Sequence, residues 1–65
     1  MADPKTVKKQ ISTEELKMLR DMKNKQRLQW VVRRWGTGDE KKQMTRGEYP
    51  RWARIAVNEM NWEIK

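Results

Sequence analysis

The apolar residues between positions 16 and 35 change sides midway through the segment. At 100° per residue, a first set lies on one side of a helix and a second set on nearly the opposite side. The sets are Leu16, Met18, Leu19 and Met22, then Leu28, Val31, Val32 and Trp35. Because one straight helix cannot bury both sets against one neighbour, and five polar residues separate them at positions 23–27, the pattern predicts a break near Asn24 and a second helix over residues 26–35.

Two alternatives stay open for this segment. In the first, the helix stays straight and different neighbours cover its two sides. In the second, residues 28–35 form a strand, since they are rich in valine and tryptophan. Gly36 would then lie in a hairpin turn instead of ending a helix. The prediction is therefore a mainly α fold, with an α+β fold and a short hairpin around Gly36 as its alternative.

The helix before the break has a well-marked start. Ser12 and Glu15 have the spacing of a capping box, and Ile11 and Leu16 occupy the two positions of a hydrophobic staple. Glu14 and Glu15 also place negative charge at the positive end of the helix dipole. These signals predict a helix that starts at Ser12.

The C-terminal half indicates one further helix. Gly36 is placed to cap the preceding helix, residues 36–39 resemble a loop, and residues 40–43 fit either fold. Pro50 suits the first turn of a helix. The apolar stripe that follows comprises Trp52, Ile55, Ala56 and Met60, broadened by Ala53 and Val57. We expect a C-terminal helix that begins near Pro50.

The first ten residues carry little apolar surface, with one valine, one proline and three lysines. Such a segment does not offset the entropy lost on ordering. We therefore expect residues 1–10 to be a disordered basic arm and residues 11–65 to be a single small helical domain. A chain of 65 residues buries only about 60% of its unfolded surface, so the core must rest on a few large side chains.

The composition argues against catalysis and metal binding. The chain has no histidine, no cysteine and a single serine, Ser12, which the helix start explains. The usual general base and the usual nucleophiles are therefore missing. Residues 36–38, Gly-Thr-Gly, are too short for a phosphate-binding loop. We predict a non-enzymatic protein with no catalytic residue, metal site, cofactor or small-molecule substrate.

The net charge of +7 and the pI near 10.2 favour a polyanionic partner, which can be nucleic acid, anionic membrane or an acidic protein surface. No apolar run reaches the roughly 18 residues of a membrane span. The change of apolar side between Met22 and Leu28 also does not suit a helix lying on lipid. With no secretory signal pattern and no cysteine, we expect a cytoplasmic protein without a membrane partner.

The densest positive charge lies in residues 17–34, which hold seven basic residues and one acid. On a continuous helix most of these basic side chains form a stripe beside Trp30. Trp30 points away from the apolar side that holds Trp35, so Trp35 and Trp52 are predicted core residues and Trp30 a surface residue, while Trp62 fits either place. A solvated basic face is the alternative. The predicted partner-binding residues are Arg20, Lys23, Arg27, Trp30, Arg33 and Arg34.

In size, basic charge, Trp/Arg pairing and lack of catalytic residues, the chain resembles small bacteriophage proteins that redirect host transcription. These viral proteins share no motif, so the resemblance assigns no residue roles. It implies a transcription regulator or inhibitor in the host cytoplasm that binds an acidic protein surface, such as one on RNA polymerase. The alternative function is a DNA- or RNA-binding module, although no helix-turn-helix pattern is evident.

Overall fold

A computed structural model describes residues 3–64, and these residues form five helices and no strand. The helices are α1 (Pro4–Gln10), α2 (Thr13–Arg20), α3 (Asn24–Trp35), α4 (Gly38–Thr45) and α5 (Arg51–Ile64). Helix α5 lies at the centre and packs against α1, α2 and α3, while α4 packs against α3. The mainly α prediction is confirmed, and the strand and hairpin alternatives are wrong.

The core forms around the inward face of α5. This face consists of Trp52, Ala53, Ala56, Val57 and Met60, all buried. The other helices add Val7, Leu19, Val31, Val32 and Met44, together with Ile11 from the link after α1. The predicted stripe is confirmed except at Ile55, which is 42% exposed, because the centre of the buried face lies toward Ala53 and Val57.

The predicted break separates α2 from α3 at residues 21–23. It lets Leu19 from the first apolar set and Val31 from the second both enter the core. The predicted start of α2 is also confirmed, because Ser12 and Glu15 form the capping box through two hydrogen bonds of 3.1 Å. Local polar pairing and apolar periodicity therefore determine this part of the fold.

Gly36 ends α3, and its N–H donates a 2.7 Å hydrogen bond to the Val32 carbonyl. Its backbone is extended, with φ −77° and ψ 159°. A Cβ atom here would collide with the Val32 carbonyl oxygen and lie 2.9 Å from Val32 Cγ1. Close packing therefore explains this glycine. The predicted loop after it is shorter than expected, because Thr37 and Glu40 form a second capping box that starts α4.

The prediction of a disordered arm over residues 1–10 needs correction. Met1 and Ala2 lie outside the described residues, but Pro4–Gln10 form α1, with Asp3 as the N-cap. Val7 is fully buried against the core, and Lys8 forms a 3.1 Å ion pair with Glu63. One valine is enough to dock this segment because α5 supplies the apolar surface, which the composition of the segment itself does not reveal.

Candidate partner-binding surface

The basic residues predicted to form one stripe over residues 17–34 lie on two separate helices and the link between them. That stripe required one continuous helix, whereas α2 ends at Arg20 and α3 begins at Asn24. Arg20 is the exposed last residue of α2, and Lys23 is exposed at the N-cap position of α3. The remaining predicted residues, Arg27, Trp30, Arg33 and Arg34, lie on α3. The six residues therefore do not lie along a single helix face.

Arg27 makes hydrogen bonds within the molecule through all three of its guanidinium nitrogens. Nε donates to the Leu19 carbonyl at 2.7 Å and Nη2 donates to the Arg20 carbonyl at 3.0 Å. Nη1 donates to Oδ1 of Asn61 on α5 at 2.7 Å. These bonds add to the pairing of the last carbonyls of α2, of which that of Leu19 also accepts from the Met22 N–H, and they join three helices, so Arg27 has a structural role.

Arg34 and the two tryptophans of α3 form an aromatic cluster that ties α3 to the N-terminal helices. Trp30 and Trp35 meet edge to face, with ring centroids 5.5 Å apart, and the guanidinium of Arg34 lies 5.5 Å and 4.9 Å from their centroids. Arg34 also pairs with Glu15 of α2, and Trp35 Nε1 donates to Gln10 Oε1 at 2.6 Å. Both tryptophans are half-buried, so neither is wholly core or wholly surface.

Two capping glutamates have lowered pKa values. The pKa of Glu15 lies below its ordinary value mainly because the Ser12 N–H donates to its carboxylate, with smaller effects from the Ser12 side chain and Arg34. The pKa of Glu40 is lowered mainly by the Thr37 N–H and then by Nε1 of Trp52, which donates at 2.5 Å. Both carboxylates therefore act as ionised acceptors that hold helix starts in place.

The most exposed large side chains of α5 lie on one face. This α5 outer face consists of Arg51, Arg54, Ile55, Asn58 and Trp62, all exposed. Trp62 is 75% exposed and Ile55 is 42% exposed. At 100° per residue these positions lie opposite the buried stripe. Within residues 3–64, neither arginine of this face forms an ion pair.

A shallow groove follows the flank of the α5 outer face. It consists of three adjoining depressions of about 370, 440 and 400 Å³. Tyr49 and Arg54 line both the first and the second depression, and Asn58 and Asn61 line both the second and the third. We call these three adjoining depressions together the α5 groove. Glu48 and Arg51 also line the first depression, and Arg27 and Trp62 also line the third.

Side-chain amides dominate the middle of the α5 groove. Asn61 Nδ2 donates to Asn24 Oδ1 at 3.0 Å, while Asn61 Oδ1 accepts from Arg27, so Asn61 is held in one orientation. The hydroxyl of Tyr49 is buried and has no hydrogen-bond partner in the described part of the chain. The groove therefore presents polar groups of fixed orientation beside two exposed arginines.

The sequence contains a signal for the α5 outer face that the predictions did not use. Arg51, Ile55, Asn58 and Trp62 follow one another at intervals of four, three and four residues, which is the spacing of one helix face. The predicted core stripe includes Ile55 because it lies three residues after Trp52, at the edge between the buried and the exposed face. Following the helix count through to Trp62 would have separated the two faces.

The comparisons with known proteins give no relative from which a role could be transferred: no family model, curated protein or solved structure matches the chain. Within residues 3–64, no helix has the length and apolar character needed to cross a membrane. The same residues hold no cluster of three or more side chains suited to a metal ion. The functional argument therefore rests on the surface chemistry of this chain.

Proposed function

We propose that this chain is a non-enzymatic regulatory protein that binds an acidic surface of a larger protein through the α5 outer face. The observation that carries this proposal is Trp62, which is 75% exposed and aligned with the exposed Ile55. Aligned exposed apolar side chains mark interaction surfaces more often than isolated ones do. Tryptophan and arginine are also the residues most enriched at the energetic centres of protein interfaces.

The two arginines and the two apolar residues have different roles in this account. Arg51 and Arg54 attract carboxylates and speed the encounter with an acidic partner. Trp62 and Ile55 lose their water on binding and so determine how long the complex lasts. A tryptophan at an energetic centre contributes at least about 2 kcal/mol, which is about a 30-fold change in Kd.

RNA polymerase is the first partner to test. The class resemblance to small bacteriophage regulators of transcription provides the reason, and the net charge of +7 favours an acidic target. In this proposal the protein acts in the cytoplasm, that of the host if a phage encodes it, and alters transcription by occupying a surface of the polymerase. It requires no cofactor and no small-molecule substrate.

Nucleic-acid binding is the second candidate function. The net charge of +7 and the exposed ring of Trp62, which could stack on a base, favour it. Charge-driven binding to nucleic acid weakens steeply as salt rises. A nucleic-acid role therefore requires useful affinity for duplex or single-stranded oligonucleotides near physiological salt, at about 0.15 M.

The test is a titration of purified bacterial RNA polymerase with fluorescently labelled protein at about 0.15 M salt. Trp62→Ala should weaken binding about 30-fold. Met18→Ala serves as the matched control, since Met18 is a 44% exposed apolar residue on α2, away from the α5 outer face, and its loss should leave Kd within about twofold. Equal affinity of the two variants would reject the α5 outer face as the binding surface.

A further inference from the structure

Building on the proposed function, we infer that the partner contributes an extended acidic peptide segment, which lies in the α5 groove between Arg51 and Trp62. The depressions of the groove adjoin along this flank, since neighbouring ones share lining residues. It opens beside the α5 outer face, so a segment in the groove and a contact on Trp62 belong to one binding site.

The length of the α5 groove suits a short extended peptide. Arg51 and Trp62 are eleven residues apart, which corresponds to about 16 Å along a helix. An extended chain advances about 3.3 Å per residue, so about five residues of peptide span this distance. A helical partner segment is about 10 Å wide and would rest on the outer face instead of entering the groove.

The polar groups of the groove match the backbone of such a peptide. A side-chain amide carries both donors and an acceptor, so Asn58 and Asn61 can pair with the N–H and C=O groups of an extended chain. Asn61 is already oriented by Arg27 and Asn24.

The charges of the groove select an acidic peptide. Arg51 and Arg54 line its N-terminal half, and arginine binds carboxylates through two parallel hydrogen bonds. Glu48 lies at the same end and repels a continuous run of phosphates more than it repels spaced carboxylates. Single-stranded nucleic acid also binds through successive aromatic platforms, whereas Trp62 is the one exposed aromatic residue in residues 3–64.

The test uses three ten-residue or ten-nucleotide probes at about 0.15 M salt. The first is a labelled peptide with glutamates at alternate positions, the second replaces those glutamates by lysines, and the third is oligothymidylate. Resonances of the side-chain amides of Asn58 and Asn61 and of the Trp62 indole report occupancy of the groove. We expect the acidic peptide alone to shift all three.

Two variants with the same loss of charge test the position of the site. Arg54→Gln removes an exposed cation from the groove, and Lys9→Gln removes an exposed cation from α1. We expect Arg54→Gln to weaken binding of the acidic peptide about tenfold, because it removes a charge-assisted hydrogen bond, and Lys9→Gln to change it less than about twofold. Equal losses would mean that only net charge is sensed, and would overturn the inference.

The outcomes separate this inference from the proposed function. If Trp62→Ala weakens binding to RNA polymerase but the acidic peptide leaves the amides of Asn58 and Asn61 unshifted, the partner docks on the α5 outer face alone and the inference fails. If the peptide binds in the groove but RNA polymerase does not bind, the groove site stands and that partner is rejected. If oligothymidylate binds more tightly than the acidic peptide and shifts the same amides, both the peptide inference and the proposed protein-binding function are wrong.

Discussion

Arg27 donates a 2.7 Å hydrogen bond to Asn61, a residue 34 positions further along the chain. This contact joins α3 to α5 and fixes one wall of the α5 groove. The same guanidinium bonds the last carbonyls of α2, so Arg27 holds three helices together beside the α5 groove.

Arg27→Met should lower the free energy of unfolding by about 2 kcal/mol, because it removes a charged donor and the hydrogen bonds that join α3 to α2 and α5. Urea unfolding followed by tryptophan fluorescence measures this change. The control is Arg33→Met on the exposed face of α3, which should change stability by less than about 0.5 kcal/mol. Similar stability of the two variants would show that the Arg27 hydrogen bonds are not formed in solution.

Gly36→Ala should destabilise the domain by about 1–3 kcal/mol, since its methyl group would collide with the Val32 carbonyl and force the chain apart. The matched change is Gly38→Ala. Nothing lies within 4 Å of a Cβ at Gly38, which begins α4, so this change should be neutral or stabilising by up to about 1 kcal/mol. Gly36→Ala should therefore lower the melting temperature while Gly38→Ala leaves it unchanged or raises it, and an unchanged melting temperature in Gly36→Ala would contradict the close contact.

Helix α1 can be tested through Val7, its fully buried residue. Val7→Ala should cost about 2 kcal/mol, from two lost methyl groups and the space they leave, whereas Thr6→Ala at an exposed position should have little effect. Backbone chemical shifts and amide exchange of residues 4–10 provide the direct readout. Random-coil shifts with unprotected amides for these residues in the wild-type protein would contradict α1 and support the disordered arm predicted from composition.

Acid should destabilise the fold partly through Glu15 and Glu40. Their folded-state pKa values are lowered by capping hydrogen bonds, so the stability they contribute is present above the unfolded-state value of about 4.5 and is lost as pH falls through the lower folded-state pKa. A variant with Glu15→Gln and Glu40→Gln should lose less stability on acidification than the wild type. Thermal unfolding between about pH 2 and pH 6 measures the two profiles.

The control for this pH dependence is Glu14→Gln. Glu14 lies in the same first turn of α2 as Glu15, but in the described structure its carboxylate accepts no capping hydrogen bond. Its substitution should leave the shape of the pH profile close to that of the wild type. If Glu14→Gln reduces the loss of stability at low pH as much as the double substitution does, net charge and not capping causes the pH dependence.

Several features set by neighbouring residues were predicted from the sequence, although the capping box of Thr37 and Glu40, which has the same spacing as that of Ser12 and Glu15, was missed. The capping box of Ser12 and Glu15 needs residues only three positions apart, and the change of apolar side around residues 23–27 locates the break between α2 and α3. Features set by distant residues were not. Val7 is buried because it meets a helix that begins at Arg51, and no property of residues 1–10 alone indicates that contact.

The candidate site also combines properties that the sequence predicts with contacts between distant residues that it does not predict. Arg20, Lys23 and Arg33 are exposed as expected, whereas Trp30, the predicted surface tryptophan, is half-buried. Charge alone, however, does not reveal that Arg27 and Arg34 have intramolecular partners, since these partners come from other helices. Partner contact by the predicted set stays a prediction, and the proposed α5 outer face is the competing site; the set is Arg20, Lys23, Arg27, Trp30, Arg33 and Arg34.

The central claim is that the α5 outer face, and not the Trp30 region of α3, binds the partner. Its most direct test compares Trp62→Ala with Trp30→Ala in titrations of RNA polymerase at about 0.15 M salt, with circular dichroism measured first to show that each variant is folded. Trp62→Ala should stay as stable as the wild type and bind about 30-fold more weakly. Trp30→Ala should lose stability, because its ring packs on Trp35 and Arg34, yet keep Kd within about twofold while folded. If Trp62→Ala keeps its affinity for RNA polymerase while folded Trp30→Ala loses affinity, the account is contradicted and the binding surface lies on α3.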